Sequence, residues 1–252
     1  MKKIQSIKQV YNIGYVKGVT TKHDLRLDKV LKILKKMKLK AVQRILDVGC
    51  GDGFFTLKLT QQLKAKETFG IDISAAAVAE ALKRNIKASV LDIDESDLPY
   101  TSNYFHFIFC GNLIEVVLDP DHLLAELNRV LSPQGYLIIT FPNLCAWASR
   151  IAVLLGFHPY FDRISRKYDL GKMFRPCTRR DSTGHINLYT LRSFQQLTKI
   201  YGFDIIKVYG GYANSLPKAM QIIDKIFCNL PHLAFHIISI MKKSQARKYE
   251  SS

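Results

Sequence analysis

Three alternating glycines and three acids at regular spacing are the residues of this chain that could do chemistry. Ile45 to Thr56 reads Ile-Leu-Asp-Val-Gly-Cys-Gly-Asp-Gly-Phe-Phe-Thr. Ile45, Leu46 and Val48 are the apolar run of a strand covered on both faces. Gly49, Gly51 and Gly53 suit a turn that needs unusual backbone angles and close approach by a ligand. From Phe54 the pattern becomes helical, with Phe55, Leu59 and Leu63 four residues apart. A strand that hands a glycine turn to a helix N-terminus is how open α/β sheets build a nucleotide crevice. Asp72 ends the next apolar run, 19 residues after Gly53. Such folds place there the carboxylate that accepts hydrogen bonds from ribose hydroxyls. Asp92 ends a third run, 20 residues further on. Each acid alone reads as a solvated strand end; three of them around one glycine turn do not.

The pattern D-x-G-x-G-x-G over Asp47–Gly53 resembles motif I of the class I methyltransferases that use S-adenosylmethionine. Leu98-Pro99-Tyr100, Phe105–Cys110, Leu118-Asp119-Pro120, Leu131–Gly135 and Phe141-Pro142-Asn143 are also similar to that family. The resemblance runs from about residue 25 to the end and is strongest over 45–143. It implies a cofactor site made of Asp47, Gly49, Cys50, Gly51, Asp72, Ile73, Asp92, Ile93 and Gly111, with S-adenosylmethionine as the cofactor. Asp92, or the backbone beside it, would meet the adenine amino group. Arg26 stands where some relatives direct a cation at the cofactor carboxylate. Two positions depart from the family. His106 replaces an aspartate on the fourth strand. Val116 follows Glu115 where many relatives have histidine, so a base imported from that histidine has no counterpart here.

The elements that must position these residues alternate. The spacing predicts helices over 25–38, 54–65, 75–85 and 121–131, and strands over 45–48, 68–72, 88–91, 104–110 and 136–141. Alternation of this kind means right-handed crossovers and a parallel sheet. The expected fold class is α/β: a doubly wound, mostly parallel seven-stranded sheet with helices on both faces, its last strand antiparallel, plus an inserted cap. Residues 1–24 are expected to form an arm or lid, with Asp24 capping the first helix. The domain follows over 25–252, with its cofactor-binding core at 45–143 and its substrate cap at 144–189. A helix capped by Thr190 and edge strands complete it over 190–243. Family analogy places the last strand, His232–Met241, at the sheet edge. Residues 214–230 read as an amphipathic helix with Leu216, Met220, Ile223 and Phe227 on one face.

With 252 residues the chain is long enough for one large domain with a sizeable core. Its five cysteines are scattered, odd in number and never spaced C-x-x-C, which supports neither a disulfide framework nor a zinc site. A reducing cytoplasm is the simplest setting. The start lacks the apolar run of a signal peptide. The longest apolar runs, Ile151–Phe157 and Leu233–Met241, are core-length rather than membrane-length. The net charge of +16 is unevenly spread. Residues 1–44 hold 13 Lys+Arg against 2 Asp+Glu, residues 45–143 hold 7 against 13, and residues 144–252 hold 17 against 6. An acidic centre suits a cationic sulfonium cofactor. Basic flanks favour an anionic acceptor, a nucleic acid or an acidic lipid surface, or they are solvated helix faces.

The cap sets Trp147, Tyr160, Phe161, Tyr168 and Phe174 among arginines that include Arg179 and Arg180, a mixture able to stack on and pair with phosphorylated or planar ligands. His185, supported by Tyr189 or Asp181, is the candidate proton acceptor, unless it only ties the cap to the next helix. Tyr189, Arg179 and Arg180 are the candidate acceptor contacts. The leading reading is methyl transfer to a small molecule that is anionic or lipid-like, with no obligate protein partner and no metal. The alternatives are a nucleic-acid methyltransferase and a non-catalytic binder on the same fold. Cys110-Gly111-Asn112-Leu113 is not the Pro-Pro loop of amino-group DNA enzymes, which counts against the nucleic-acid reading.

Overall fold

A computed structural model of the chain describes residues 25–37, 39, 42–162, 164–165, 167–173, 178–179, 185–213 and 218–244. The arm at 1–24, Asp24, Phe174, Arg180, Asp181 and Leu216 lie outside the described residues. The first elements are helix α1 (Leu25–Met37), strand β1 (Arg44–Val48), α2 (Phe54–Leu63), β2 (Glu67–Asp72), α3 (Ala75–Lys83) and β3 (Lys87–Val90). They are followed by β4 (Phe105–Gly111), α4 (Pro120–Val130), β5 (Leu131–Pro142) and α5 (Trp147–Leu154). The chain continues through a two-residue ribbon, β6 (Tyr168–Asp169) and β7 (Thr178–Arg179). It closes with α6 (Leu191–Ile200), β8 (Phe203–Gly211), α7 (Lys218–Phe227) and β9 (His236–Lys243).

Seven strands form one sheet in the order β3-β2-β1-β4-β5-β9-β8. The first five run parallel, and β9 is antiparallel to both of its neighbours. The expected fold class holds. The expected edge position of the last strand does not: β9 slots between β5 and β8, and β8 is the edge. The reason is burial. Ile237, Ile238, Ile240 and Met241 are apolar on both faces of β9 and all sit at 2% exposure or less, which an edge strand could not provide. β8 alternates instead, with Asp204 and Lys207 among its exposed residues.

The two faces can be read from β4. Phe105, Ile108 and Cys110 point to the side covered by α4 and α6, where Leu123, Leu127 and Phe194 are fully buried. Phe107 and Phe109 point to the other side, where α1 and α2 contribute Val30, Leu34 and Leu59. Each such side chain withdrawn from water is worth roughly 1.5–3 kcal/mol. Helix starts follow the chemistry of their caps. Ser74 and Asp119 accept the N–H of Ala77 and His122, at 3.4 and 2.9 Å. Thr190 and Ser193 form a reciprocal capping box at the start of α6. Glu126 of α4 accepts the Leu98 N–H at 2.7 Å, while Arg129 reaches the carbonyls of Leu98 and Tyr100, so the loop after β3 is clamped to α4.

α7 forms within the segment expected to be helical. Met220 and Phe227 face inward as predicted, but Ile223 is 42% exposed. The helix is apolar on its outer side as well, so spacing alone could not single out the buried face.

Candidate active site

β1 runs out at Val48 between Ile71 of β2 and Cys110 of β4, its register partners. The chain then turns at the C-terminal edge of the sheet. Gly49, Gly51 and Gly53 have φ of +81°, +56° and +75°, a region that side chains with a Cβ rarely enter. The N–H groups of Gly49 and Cys50 both donate to the Ile71 carbonyl, at 2.8 and 2.9 Å. A Cβ on Gly53 would lie 2.4 Å from the Ile86 side chain and 3.1 Å from the Ala81 backbone, so the turn also lets α2 settle against α3. Asp52 accepts the Phe54 N–H at 3.1 Å and pairs with Arg84 at 3.2 Å, which fixes the first turn of α2 beside the glycines.

Asp72 ends β2 next to this turn. One carboxylate oxygen accepts the Gly51 N–H at 2.8 Å and the other accepts the Ser74 N–H at 2.9 Å. Burial raises its pKa, and the N–H donors of Ser74, Gly51 and Ile73 oppose that rise. A carboxylate has about four acceptor sites, so a vicinal diol can still be accommodated. Asp47 is 3% exposed beneath the turn and accepts the Thr56 hydroxyl at 2.6 Å. Burial pushes its pKa up to about 7; the Thr56 hydrogen bond opposes this and the charge of Asp72 adds to it. Asp47 therefore braces the turn against α2. The Cys50 side chain packs with Ala81 and Ile86, and burial drives its thiol well above the usual range.

Asp92 follows β3 and accepts the Asp94 N–H at 3.1 Å, while Ile93 is buried beside it. Asp94, which the sequence did not single out, takes the N–H groups of Leu118 and Asp119 at 2.9 and 3.1 Å. It thereby ties this loop to the start of α4. Gly111 closes β4, where a Cβ would meet the Phe109 ring at 2.5 Å. The structure thus brings Asp47, Gly49, Gly51, Asp72 and Gly111 together at the ends of three adjacent strands. A turn of left-handed glycines, facing a carboxylate at a strand end, fits a nucleoside-bearing cofactor.

The other half of the site is assembled from distant segments. The Glu115 carbonyl accepts the N–H groups of Ile186 and Asn187, at 2.7 and 3.0 Å, and the Asn187 amide reaches the Val117 carbonyl at 2.7 Å. The segment after the cap is thereby laid against the turn that follows β4. His185 leads into it and donates from Nδ1 to the Phe161 carbonyl at 3.2 Å. A carbonyl can only accept, so this bond leaves the basic lone pair on Nε2. Tyr189 bridges to Asn143, and its ring packs on Phe141 and Phe194. Its hydroxyl is buried without a hydrogen-bond partner, as is Oε2 of Glu115. Burial pushes the Glu115 carboxyl up to about 8, with Arg26 pulling the other way. Burial also raises Tyr189, as do the charges of Asp121 and Glu115.

Arg26 of α1 crosses to this edge. The Asn112 amide, with its oxygen turned to Arg26, accepts from both terminal nitrogens at 2.8 and 3.2 Å. His236 Nδ1 lies 3.3 Å from the same guanidinium. His236 stacks edge-on to Phe161 at 5.2 Å, and Phe161 touches His185 at 5.8 Å. The sequence reading passed over Glu115, Asn112 and His236 as site residues. An acid just past the fourth strand, beside a missing histidine, was the signal for Glu115; nothing local marked His236. Of the basic residues proposed for the acceptor, Arg179 falls in β7, paired with Tyr168 of β6, and Arg180 is outside the described residues. Among the described residues no His, Cys, Asp and Glu cluster could hold a metal ion.

Residues 21–208 match the family described as methyltransferase domain, and the chain belongs to it. It is a class I methyltransferase fold, whose cofactor is S-adenosylmethionine. The malonyl-[acyl-carrier protein] O-methyltransferase of Legionella pneumophila is 31% identical over 103 residues, 40% of this chain and 36% of that protein. The demethylmenaquinone methyltransferase of Staphylococcus saprophyticus is 32% identical over 114 residues, 42% of this chain and 48% of that one. The match spans less than half the length of either relative. A Haloferax volcanii methyltransferase solved with the Trm112 activator superposes with a TM-score of 0.64, at 14% identity, over 96% of this chain and 99% of that one. Among the described residues no helix is long and apolar enough to cross a membrane.

Proposed function

We propose that this protein transfers a methyl group from S-adenosylmethionine to a small-molecule hydroxyl or amine. The observation that carries the reading is the join between the turn after β4 and the segment after the cap. There the Glu115 carbonyl holds Ile186 and Asn187, and Tyr189 bridges to Asn143, so the segment carrying His185 and Tyr189 lies along the chain that follows β4 and β5. The bound sulfonium supplies the electrophilic methyl; the protein's part is to orient, to exclude water and to take a proton.

Asp72 and the glycine turn hold the nucleoside end. Arg26, steadied by Asn112 and His236, supplies a fixed positive charge for a carboxylate at the same edge. His185, with Nε2 as its basic nitrogen, receives the acceptor's proton. The Glu115 carboxyl, largely protonated at neutral pH, gives the pocket a neutral donor instead of a second charge. Phe161, backed by the fully buried Phe235, and Tyr189 make the remaining wall apolar, which suits an acceptor with a hydrophobic body and one polar reacting end.

The test is a methyl-transfer assay with labelled cofactor over a panel of phenolic, carboxylic and lipid-like acceptors, with RNA alongside. Transfer to a small molecule, abolished by loss of the imidazole at 185 without loss of cofactor binding, supports the reading. Transfer to RNA alone, with the steep salt dependence of counterion release, overturns it.

A further inference from the structure

The cap carries an unusual outer surface. Large hydrophobic side chains are exposed at Ile151, Val153, Leu154, Leu155 and Phe157, from 41% for Ile151 to 85% for Leu154. Ile222 and Ile226 of α7 and Leu230 just beyond it recur every four residues and are 67%, 63% and 44% exposed. Of the nineteen large hydrophobics exposed among the described residues, eleven fall within 151–168 and 222–230. Lone exposed apolar residues are ordinary, but a concentration of this kind marks an interaction surface.

Nor are these helices loosely held ends. Trp147 of α5 stacks on Phe227 of α7 at 5.6 Å, and its indole N–H reaches Asp224 at 3.2 Å. Asp224 also accepts the Ala213 N–H at 2.9 Å. Both helices are therefore anchored by their inner faces, and the outer apolar faces are surplus to the fold.

The charge around these faces decides among the occupants. Along the sequence, 144–183 holds eight Lys+Arg and three Asp+Glu, of which Arg163, Arg166, Arg175, Arg180 and Asp181 lie outside the described residues. Asp169 and Asp224 are buried, and Asp162 lies 3.0 Å from His158. Arg150, Lys167 and Lys225 flank the apolar stretches. Exposed apolar side chains fringed by cations are the composition of an interfacial helix on an anionic bilayer.

We infer that the outer faces of α5 and α7 dock this protein onto an anionic lipid bilayer. The apolar side chains enter the boundary between headgroups and acyl chains, and the flanking cations meet the lipid phosphates. The cluster beneath these faces runs from Trp147 and Phe227 through Phe235 to Phe161, and Phe161 contacts both His185 and His236. Docking thus sets the acceptor side of the site close to the membrane. The inference does not depend on the acceptor's identity, because docking needs neither cofactor nor acceptor.

The experiment is flotation of the full-length chain with vesicles of phosphatidylcholine, alone or with phosphatidylglycerol added. The expected result is binding to the anionic vesicles, weaker on the zwitterionic ones, and falling several-fold as salt rises. Ile222→Glu with Ile226→Glu should lower the bound fraction by about tenfold or more, and Leu154→Glu with Leu155→Glu should do likewise. These side chains point to solvent, so the folded state should survive. The sole tryptophan, Trp147, reports that through unchanged emission, and calorimetry with S-adenosylmethionine reports it for the cofactor half. Failure of the wild-type chain to float with either vesicle overturns the inference, as does equal flotation of the variants. Light scattering that shows a wild-type dimer dispersed by the same substitutions also overturns it, since a second copy would then cover the faces.

Discussion

The two halves of the site are built on different principles. The cofactor half is made of backbone: three left-handed glycines, the N–H groups of a helix start and one carboxylate, all within 25 residues of β1. The half proposed for the acceptor is made of side chains gathered from five places, with Arg26 and His236 separated by 210 positions. The first half leaves almost no latitude for substitution. The second leaves a great deal, which is how one fold can serve many acceptors.

Four perturbations sharpen this contrast. The largest effect is expected at His185. His185→Ala should lower turnover by roughly two to four orders of magnitude, with cofactor affinity unchanged by calorimetry. Loss of both together would mean that the two halves are not separable. Glu115 comes next, through pH. Its native pKa of about 8 lies above the ordinary value of 4.5, so the unfolded chain releases this proton first. The group's contribution to stability is full at low pH and is lost as pH rises from about 4.5 to about 8, at up to about 1.4 kcal/mol per pH unit. Glu115→Gln should flatten the denaturation midpoint against pH across that window. An unchanged curve would remove the buried acid from the site.

Trp147→Ala addresses the cap alone. Removing a buried indole stacked on Phe227 should destabilise that region by about 3–5 kcal/mol. Limited proteolysis should then cut within 144–183 much sooner, while the cofactor half keeps its protection. Uniform loss of protection would show a single cooperative unit. Asp72→Ala is the smallest effect and the most local. It removes the carboxylate beside the turn and should weaken S-adenosylmethionine binding by about 1.5–3 kcal/mol, or roughly 10- to 150-fold by calorimetry. Unchanged affinity in a folded variant would contradict the assignment of this residue to the nucleoside.

The same contrast explains what could be read from the chain in advance. Asp47, the glycines, Asp72 and Asp92 lie on consecutive elements, so spacing along the chain is a proxy for distance in space. The helix caps at Ser74, Asp119 and Thr190 are likewise local. Glu115 was visible only as an acid beside a missing histidine, because what matters about it is burial, which needs the segment at 185–189 to cover it. His236 could not be placed, since its neighbours are supplied by strand order. The antiparallel direction of β9 was foreseen but its neighbours were not. Hydrophobicity on both faces of Ile237–Met241 was the overlooked sign of a central strand. Ile223 was assigned to the wrong side of α7 because both sides of that helix are apolar.

The slot occupied by β9 also has a bearing on how the molecule is made. β5 has one paired edge as soon as β4 is in place; its other edge pairs only with residues 236–242. β8, made earlier than β9, has no strand to pair with until then. A chain growing from its N-terminus therefore completes the cofactor turn early but holds the long apolar edge of β5 open until β9 is synthesised. Such an edge invites pairing with other chains. Contacts this distant in sequence also slow the final step. The last two strands of the sheet, and with them the surroundings of His236, can thus pair only after the first five strands have been made.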